Sequence, residues 1–251
     1  MVITASPQFQ FTQSQRSIEV FPDVPHLVER AVQYVIQQLQ TAIAQKGQAT
    51  IALAGGSTPR PLYEILAKAN LPWENIQVFW GDERYVPADH PDSNYRMARL
   101  AWLDHVGFPA QNIHPVPTEI ADPAIAAQTY EQTLQQVFGT QERPEFDVML
   151  LGIGDDGHTA SLFPHTAALQ VSDRLVAVGE KDGAPRITFT FPVINRSALV
   201  LFLVAGASKQ TALRQILADQ ADGQQYPAAL VKPQGNLIWL LDQAAAGGIP
   251  N

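Results

Sequence analysis

A chain of 251 residues, 46% hydrophobic and without cysteine, can bury one large α/β core but cannot build a disulfide framework, a thiolate zinc site or a cysteine nucleophile. Twenty-four acidic residues against 16 basic ones leave a net charge of −8, which argues against nonspecific nucleic-acid binding. The longest apolar stretch, ALVLFLVAGA (198–207), is far shorter than the roughly 20 residues of a membrane span, and MVITASPQFQ lacks the order of a secretory signal, so a cytoplasmic protein is expected.

SIEVF (17–21) predicts a short extended start. VPHLVERAVQYVIQQLQTAIAQ (24–45) places apolar residues at helical spacing and stops at Lys46-Gly47, a C-terminal cap. TIALAGG (50–56) is a buried strand ending in glycines, and STPRPLYEILAKA (57–69) predicts a helix with Thr58 as N-cap and Pro59 at its first position. NIQVFWGD (75–82) is another buried strand, and SNYRMARLAWLDHV (93–106) starts a helix at Ser93. DPAIAAQTYEQTLQQVF (122–138) repeats the Asp-cap and Pro signature. FDVMLLGIG (146–154), RLVAVG (174–179), the alternating RITFTF (186–191) and SALVLFLVAG (197–206) read as strands. ASKQTALRQILAD (207–219) is the next helix, and NLIWLLD (236–242) is the strand expected to close the sheet.

Strands alternating with helices predict a mostly parallel sheet covered on both faces. No composition shift or repeat divides residues 1–251, so a single domain is expected. The polar clusters GGSTPR, GDERYVP, GIGDDGH and AGASK each follow a buried strand at its C-terminal end, where open parallel sheets bind ligands.

AGGSTPRP (54–61) suits a phosphate, because Gly55 and Gly56 allow close backbone approach, Ser57 and Thr58 add hydroxyls, and the helix start offers N–H groups. An ordinary capped turn accounts for it equally well. Lys209 in AGASKQTAL (205–213) would sit against the helix dipole, which a bound phosphate offsets; a solvated surface lysine is the alternative. Arg186 is either a bidentate phosphate clamp or a strand cap. In GDERYVPADHPDSNYRMA (81–98), Asp82, Arg84 and Asn94 suit polyol recognition, while Glu83 or Arg96 is expected to be structural.

GIGDDGH (152–158) is the most specific cluster: a neutral His158 can take a proton from water near pH 7, and Asp156 can fix its tautomer. Asp155 reads as merely exposed. No second histidine at helical spacing completes a metal site, no GxSxG elbow makes Ser161 a nucleophile, and His26, His90, His105, His114 and His165 read as structural.

In this order, GGSTP, GDERYVP…SN, LGIGDDGHTASLFP, RITFTFPVIN and GASK resemble the glucosamine-6-phosphate isomerase/6-phosphogluconolactonase family, on its lactonase side. The resemblance implies a Rossmann-like α/β fold shared with glucosamine-6-phosphate deaminase. It implies hydrolysis of 6-phospho-D-glucono-1,5-lactone to 6-phosphogluconate in the pentose phosphate pathway without metal or organic cofactor. By the same resemblance His158 is the catalytic histidine and Asp156 its partner; Gly55, Gly56, Ser57, Arg186 and Lys209 hold phosphate; Asp82, Arg84 and Asn94 line the sugar pocket. The oxyanion falls to backbone N–H groups of the glycine turn or to Arg84. The expected partner is the sugar-phosphate lactone alone, with no nucleic acid and no membrane, in a monomer or weak homo-oligomer. Two other readings remain. A deaminase or isomerase needs a carboxylate shortly after the histidine, and TASLFP has none; a non-catalytic sugar-phosphate sensor would leave His158 and Asp156 without purpose.

Overall fold

The computed structural model describes residues 16–139 and 144–247. The chain begins with β1 (Arg16–Phe21) and α1 (Val24–Lys46), which is capped by Asp23 and ends where Gly47, at φ +79°, donates its N–H to the Ile43 carbonyl. Leu27, Ala31, Val35, Leu39 and Ala42 form the buried stripe of α1. There follow β2 (Ala49–Leu53), α2 (Arg60–Leu66), β3 (Ile76–Trp80), β4 (Asp82–Arg84), α3 (Asn94–Ala101), β5 (Ile113–His114) and α4 (Pro123–Phe138). Then come β6 (Val148–Leu151), β7 (Val176–Lys181), β8 (Ala184–Phe189), α5 (Phe191–Ile194), β9 (Leu199–Val204), α6 (Gln210–Ile216), β10 (Asn236–Asp242) and α7 (Gln243–Ala246).

Seven strands form a wholly parallel sheet in the order β1-β10-β9-β6-β2-β3-β5. Its central strands β2, β6, β9 and β10 are buried at every position, the mark of a sheet covered on both faces. From β2 the chain winds one way through β3 and β5; from β6 it winds the other way through β9 and β10. The order therefore reverses between β2 and β6, where a crevice opens beyond the strand ends.

Several expectations need correction. RITFTF does not join the parallel sheet: β8 pairs antiparallel with β7 and with β4 in a separate three-stranded sheet, and Phe191 already belongs to α5. NIQVFWGD splits for the same reason. Gly81 donates to the Leu53 carbonyl of the large sheet and accepts from the Phe189 N–H of the small one, so Asp82 starts a new strand. Thr58 is not an N-cap; residues 57–59 form a turn after Gly56 (φ +98°), and α2 starts at Arg60 behind an uncapped Pro59. The segment after β9 opens as a 3₁₀ turn, Ala207–Lys209, which leaves Lys209 just before α6. β10 does not close the sheet, because β1 lies outside it. No helix among the described residues is long and apolar enough to cross a membrane.

Candidate active site

A cavity of about 390 Å³ lies at the reversal of strand order. The turn after β2 brings Gly55, Gly56 and Ser57 to it; the β3–β4 junction brings Asp82 and Arg84; the start of α3 brings Asn94. The turn after β6 contributes His158, β8 contributes Arg186, and the turn after β9 contributes Lys209. Every residue assigned to the site from the sequence thus lines one space, except Asp156, which lies behind His158.

The histidine is held by its own turn. Gly154 donates its N–H to the His158 carbonyl at 2.9 Å, and Gly157 turns the chain at φ +81°. A Cβ on Gly154 would stand 2.0 Å from His158 Nδ1, so the ring can lie against this backbone only where a glycine sits. Asp156 Oδ1 accepts from the His158 backbone N–H at 3.0 Å and lies 2.5 Å from Nδ1. An ionised carboxylate can only accept, so Nδ1 carries the proton and Nε2 is left as a base. Partial burial works against ionising Asp156, but hydrogen bonds from the His158 ring and backbone outweigh it and hold the carboxyl at about 2. Phe163 packs on the ring at 4.5 Å between centroids, and the side chain remains 21% exposed. None of the other histidines lines the cavity; His114 bonds Gln77 and His165 bonds Gln225.

At the cationic side, Lys209 Nζ lies 2.5 Å from Asp155 Oδ1, which also accepts from Ser208 at 3.0 Å. Asp155 is therefore not merely exposed: it fixes the lysine. Arg186 stands directly across from Arg84 in the β4–β8 register, and its side chain makes no hydrogen bond or ion pair among the described residues. Burial, then the Arg84 charge, pushes the Arg186 guanidinium below its ordinary pKa, against the pull of Asp82, Glu83 and Asp92. Two facing guanidinium groups lacking a carboxylate between them form a place where an anion relieves both desolvation and repulsion.

Glu83 builds the shelf between the two ends. It is 2% exposed and accepts from the backbone N–H groups of Arg84, Asn94 and Tyr95 at 2.7, 2.8 and 2.7 Å, and from Ser93 Oγ at 3.3 Å. Glu83 is structural, as expected. Asn94 Nδ2 donates to the Asp82 carbonyl, while its buried Oδ1 has no partner. A Cβ on Gly55 would come within 1.8 Å of that oxygen, so Gly55 is required by Asn94 as well as by the turn. Ser161 Oγ donates to Asp82 Oδ2 at 2.7 Å. The sequence reading missed this bond, the Asp155–Lys209 pair and Lys181, which also lines the cavity. For Lys181 a signal was present: it precedes Asp182-Gly183, a two-residue hairpin turn with φ +53° and +77°.

A family model described as glucosamine-6-phosphate isomerases/6-phosphogluconolactonase matches residues 22–239. A 6-phosphogluconolactonase of Synechocystis sp. is 62% identical over 230 residues, covering 91% of this chain and 96% of that protein. The solved 6-phosphogluconolactonase of Trypanosoma brucei superposes with a TM-score of 0.85 at 31% identity, covering 95% of this chain and 100% of that one. A monomeric glucosamine-6-phosphate deaminase superposes with a TM-score of 0.76 at 21% identity, covering 92% and 99%, a likeness of fold alone.

Proposed function

The chain belongs to the glucosamine-6-phosphate isomerase/6-phosphogluconolactonase family, and we propose that it hydrolyses 6-phospho-D-glucono-1,5-lactone with His158 as the proton-transfer group. The observation that carries this reading is a single cavity lined both by an imidazole whose Nδ1 is committed to Asp156 and by the cationic side chains of Arg84, Arg186 and Lys209, of which Arg186 has no side-chain hydrogen bond or ion pair among the described residues.

Phosphate binds the turn at Gly55, Gly56 and Ser57 together with Arg186 and Lys209, and its two negative charges anchor the substrate. Asp82, Arg84 and Asn94 take the sugar hydroxyls. With the phosphate end fixed, the lactone C1 is presented to His158 and much of the barrier is removed by positioning. Water attacks C1 as its proton passes to Nε2. The tetrahedral intermediate collapses with cleavage of C1–O5, and the same nitrogen returns the proton to O5. Asp156 stays ionised throughout, its pKa of about 2 lying far below that of any imidazole, and balances the transient imidazolium.

Deaminase chemistry fits this site poorly. The residues after His158 carry no carboxylate, and Asp82, the one candidate base, is hydrogen-bonded to Ser161. A coupled assay with freshly made lactone and glucosamine-6-phosphate side by side decides it: acid release from the lactone without ammonia from the amino sugar is expected, and the reverse result sinks the reading. Arg186→Ala is expected to raise KM roughly 10–100-fold with kcat changed far less, the loss of about 1.5–3 kcal/mol for a charge-assisted contact. Arg186→Lys recovers only part of this, because a point charge lacks the guanidinium fork. Steady-state kinetics on the three proteins checks it.

A further inference from the structure

We propose that Lys181 is a further catalytic residue, whose ammonium meets the lactone carbonyl oxygen and stabilises the negative charge that develops on it. This inference rests on the lactonase reading above.

Placement comes from the small sheet. Asp182 and Gly183 reverse the chain between Lys181 and its cross-strand partner Ala184, while Gly179 lies across from Arg186. Residues two apart on a strand share a face, so Lys181 and Arg186 project from the same side of the hairpin. A Cβ at Gly179 would meet the Ser161 carbonyl oxygen at 2.3 Å, so β7 lies directly on the turn that follows His158. One step further, Lys181 Nζ stands over the Phe163 ring, 5.6 Å from its centroid, and the other neighbour of that ring is His158. Lys181 is thus stationed at the histidine end of the cavity, and its charge also reaches Asp156.

Several of the groups expected from sequence to hold the oxyanion are engaged elsewhere. In the glycine turn, Gly154 N–H bonds the His158 carbonyl, Gly157 N–H bonds the Gly154 carbonyl, and His158 N–H bonds Asp156. Arg84 Nη1 is turned to the Asp92 carbonyl at 2.7 Å. Of the cationic groups, Lys209 is matched by Asp155, whereas Lys181 makes no ion pair among the described residues. A cation beside a ring that must accept a proton opposes that transfer, unless negative charge appears between them. Attack of water on C1 creates that charge, first as an oxyanion and then as the product carboxylate, and both lie beside the base. Lys181 transfers no proton; it lowers the energy of the intermediate.

Lys181→Met keeps a chain of similar length over Phe163 and removes the charge. With spontaneous hydrolysis subtracted, kcat is expected to fall roughly 10–100-fold, less than for a fully enclosed oxyanion donor because the site is open to water. Lys181→Arg should stay within a few-fold of wild type. Lys181→Met should also bind 6-phosphogluconate more weakly while binding glucitol-6-phosphate, which lacks the carboxylate, as wild type does. A kcat within twofold of wild type overturns the assignment. Equal weakening towards both ligands overturns it too, by making Lys181 a phosphate contact. A wild type that leaves the lactone unhydrolysed sinks the underlying reading and this assignment together, whereas an active wild type matched by Lys181→Met sinks the assignment alone.

Discussion

His158→Ala is expected to lower kcat by roughly 10²–10⁴-fold while 6-phosphogluconate binds within a few-fold of wild type. Nε2 is placed to take the proton of the attacking water, and no other histidine lines the cavity. Asp156 cannot substitute: with a pKa of about 2 it is a weak base near neutrality, and it lies behind the ring rather than on the cavity wall. The phosphate contacts belong to other turns, those after β2 and β9 and strand β8, so affinity should survive loss of the imidazole. Residual turnover would come from positioning and charge stabilisation alone. Rates must be read against a no-enzyme control, because the lactone opens in water. Equal corrected turnover in wild type and variant would falsify the role of His158.

Much of this site was legible because a parallel sheet places every strand-to-helix turn at one edge. GGSTP, GIGDDGH and GASK each follow a strand of the large sheet, so predicting the strands predicted the convergence. The small sheet was not foreseen, although RITFTF alternates as a half-buried antiparallel strand does. Alternation reveals a strand but not its partner, and the partner β4 is three residues long, too short to leave a period of its own. Asp155 was misread because its role depends on Lys209, 54 positions away in the chain, at the end of a strand that neighbours β6. Glu83 or Arg96 was expected to be structural, and Glu83 is. The feature that makes it so, three backbone N–H groups aimed at a buried carboxylate, comes from the folding back of residues 93–95 on β4.

That arrangement makes Glu83 the second place where a single change should have a large effect. Glu83→Ala leaves the Arg84, Asn94 and Tyr95 N–H groups without their acceptor and is expected to cost about 3 kcal/mol or more. Burial, opposed by these N–H groups and aided by the nearby Asp82, pushes the carboxyl from 4.5 up to about 7. Because the folded pKa is the higher one, the folded chain holds a proton that the unfolded chain has released. Stability from this group is fully present below pH about 4.5 and is lost as pH rises through about 7, a loss of about 3 kcal/mol. Glu83→Gln cannot ionise and lacks that dependence. It keeps one oxygen for the Arg84 and Asn94 N–H groups but turns an amide donor towards Tyr95, so it should be less stable than wild type at pH 5. By pH 8 the wild type has taken on its buried charge, and the gap should close or reverse. Urea unfolding of both proteins at the two pH values measures this directly, and an identical gap at both would mean that Glu83 ionises as an ordinary surface carboxylate. The consequence reaches the chemistry, because Glu83 joins the strand carrying Asp82 and Arg84 to the helix start carrying Asn94. Glu83→Ala should therefore raise KM even at temperatures where the chain remains folded, as the sugar-binding shelf loses the carboxylate that sets its two halves in register.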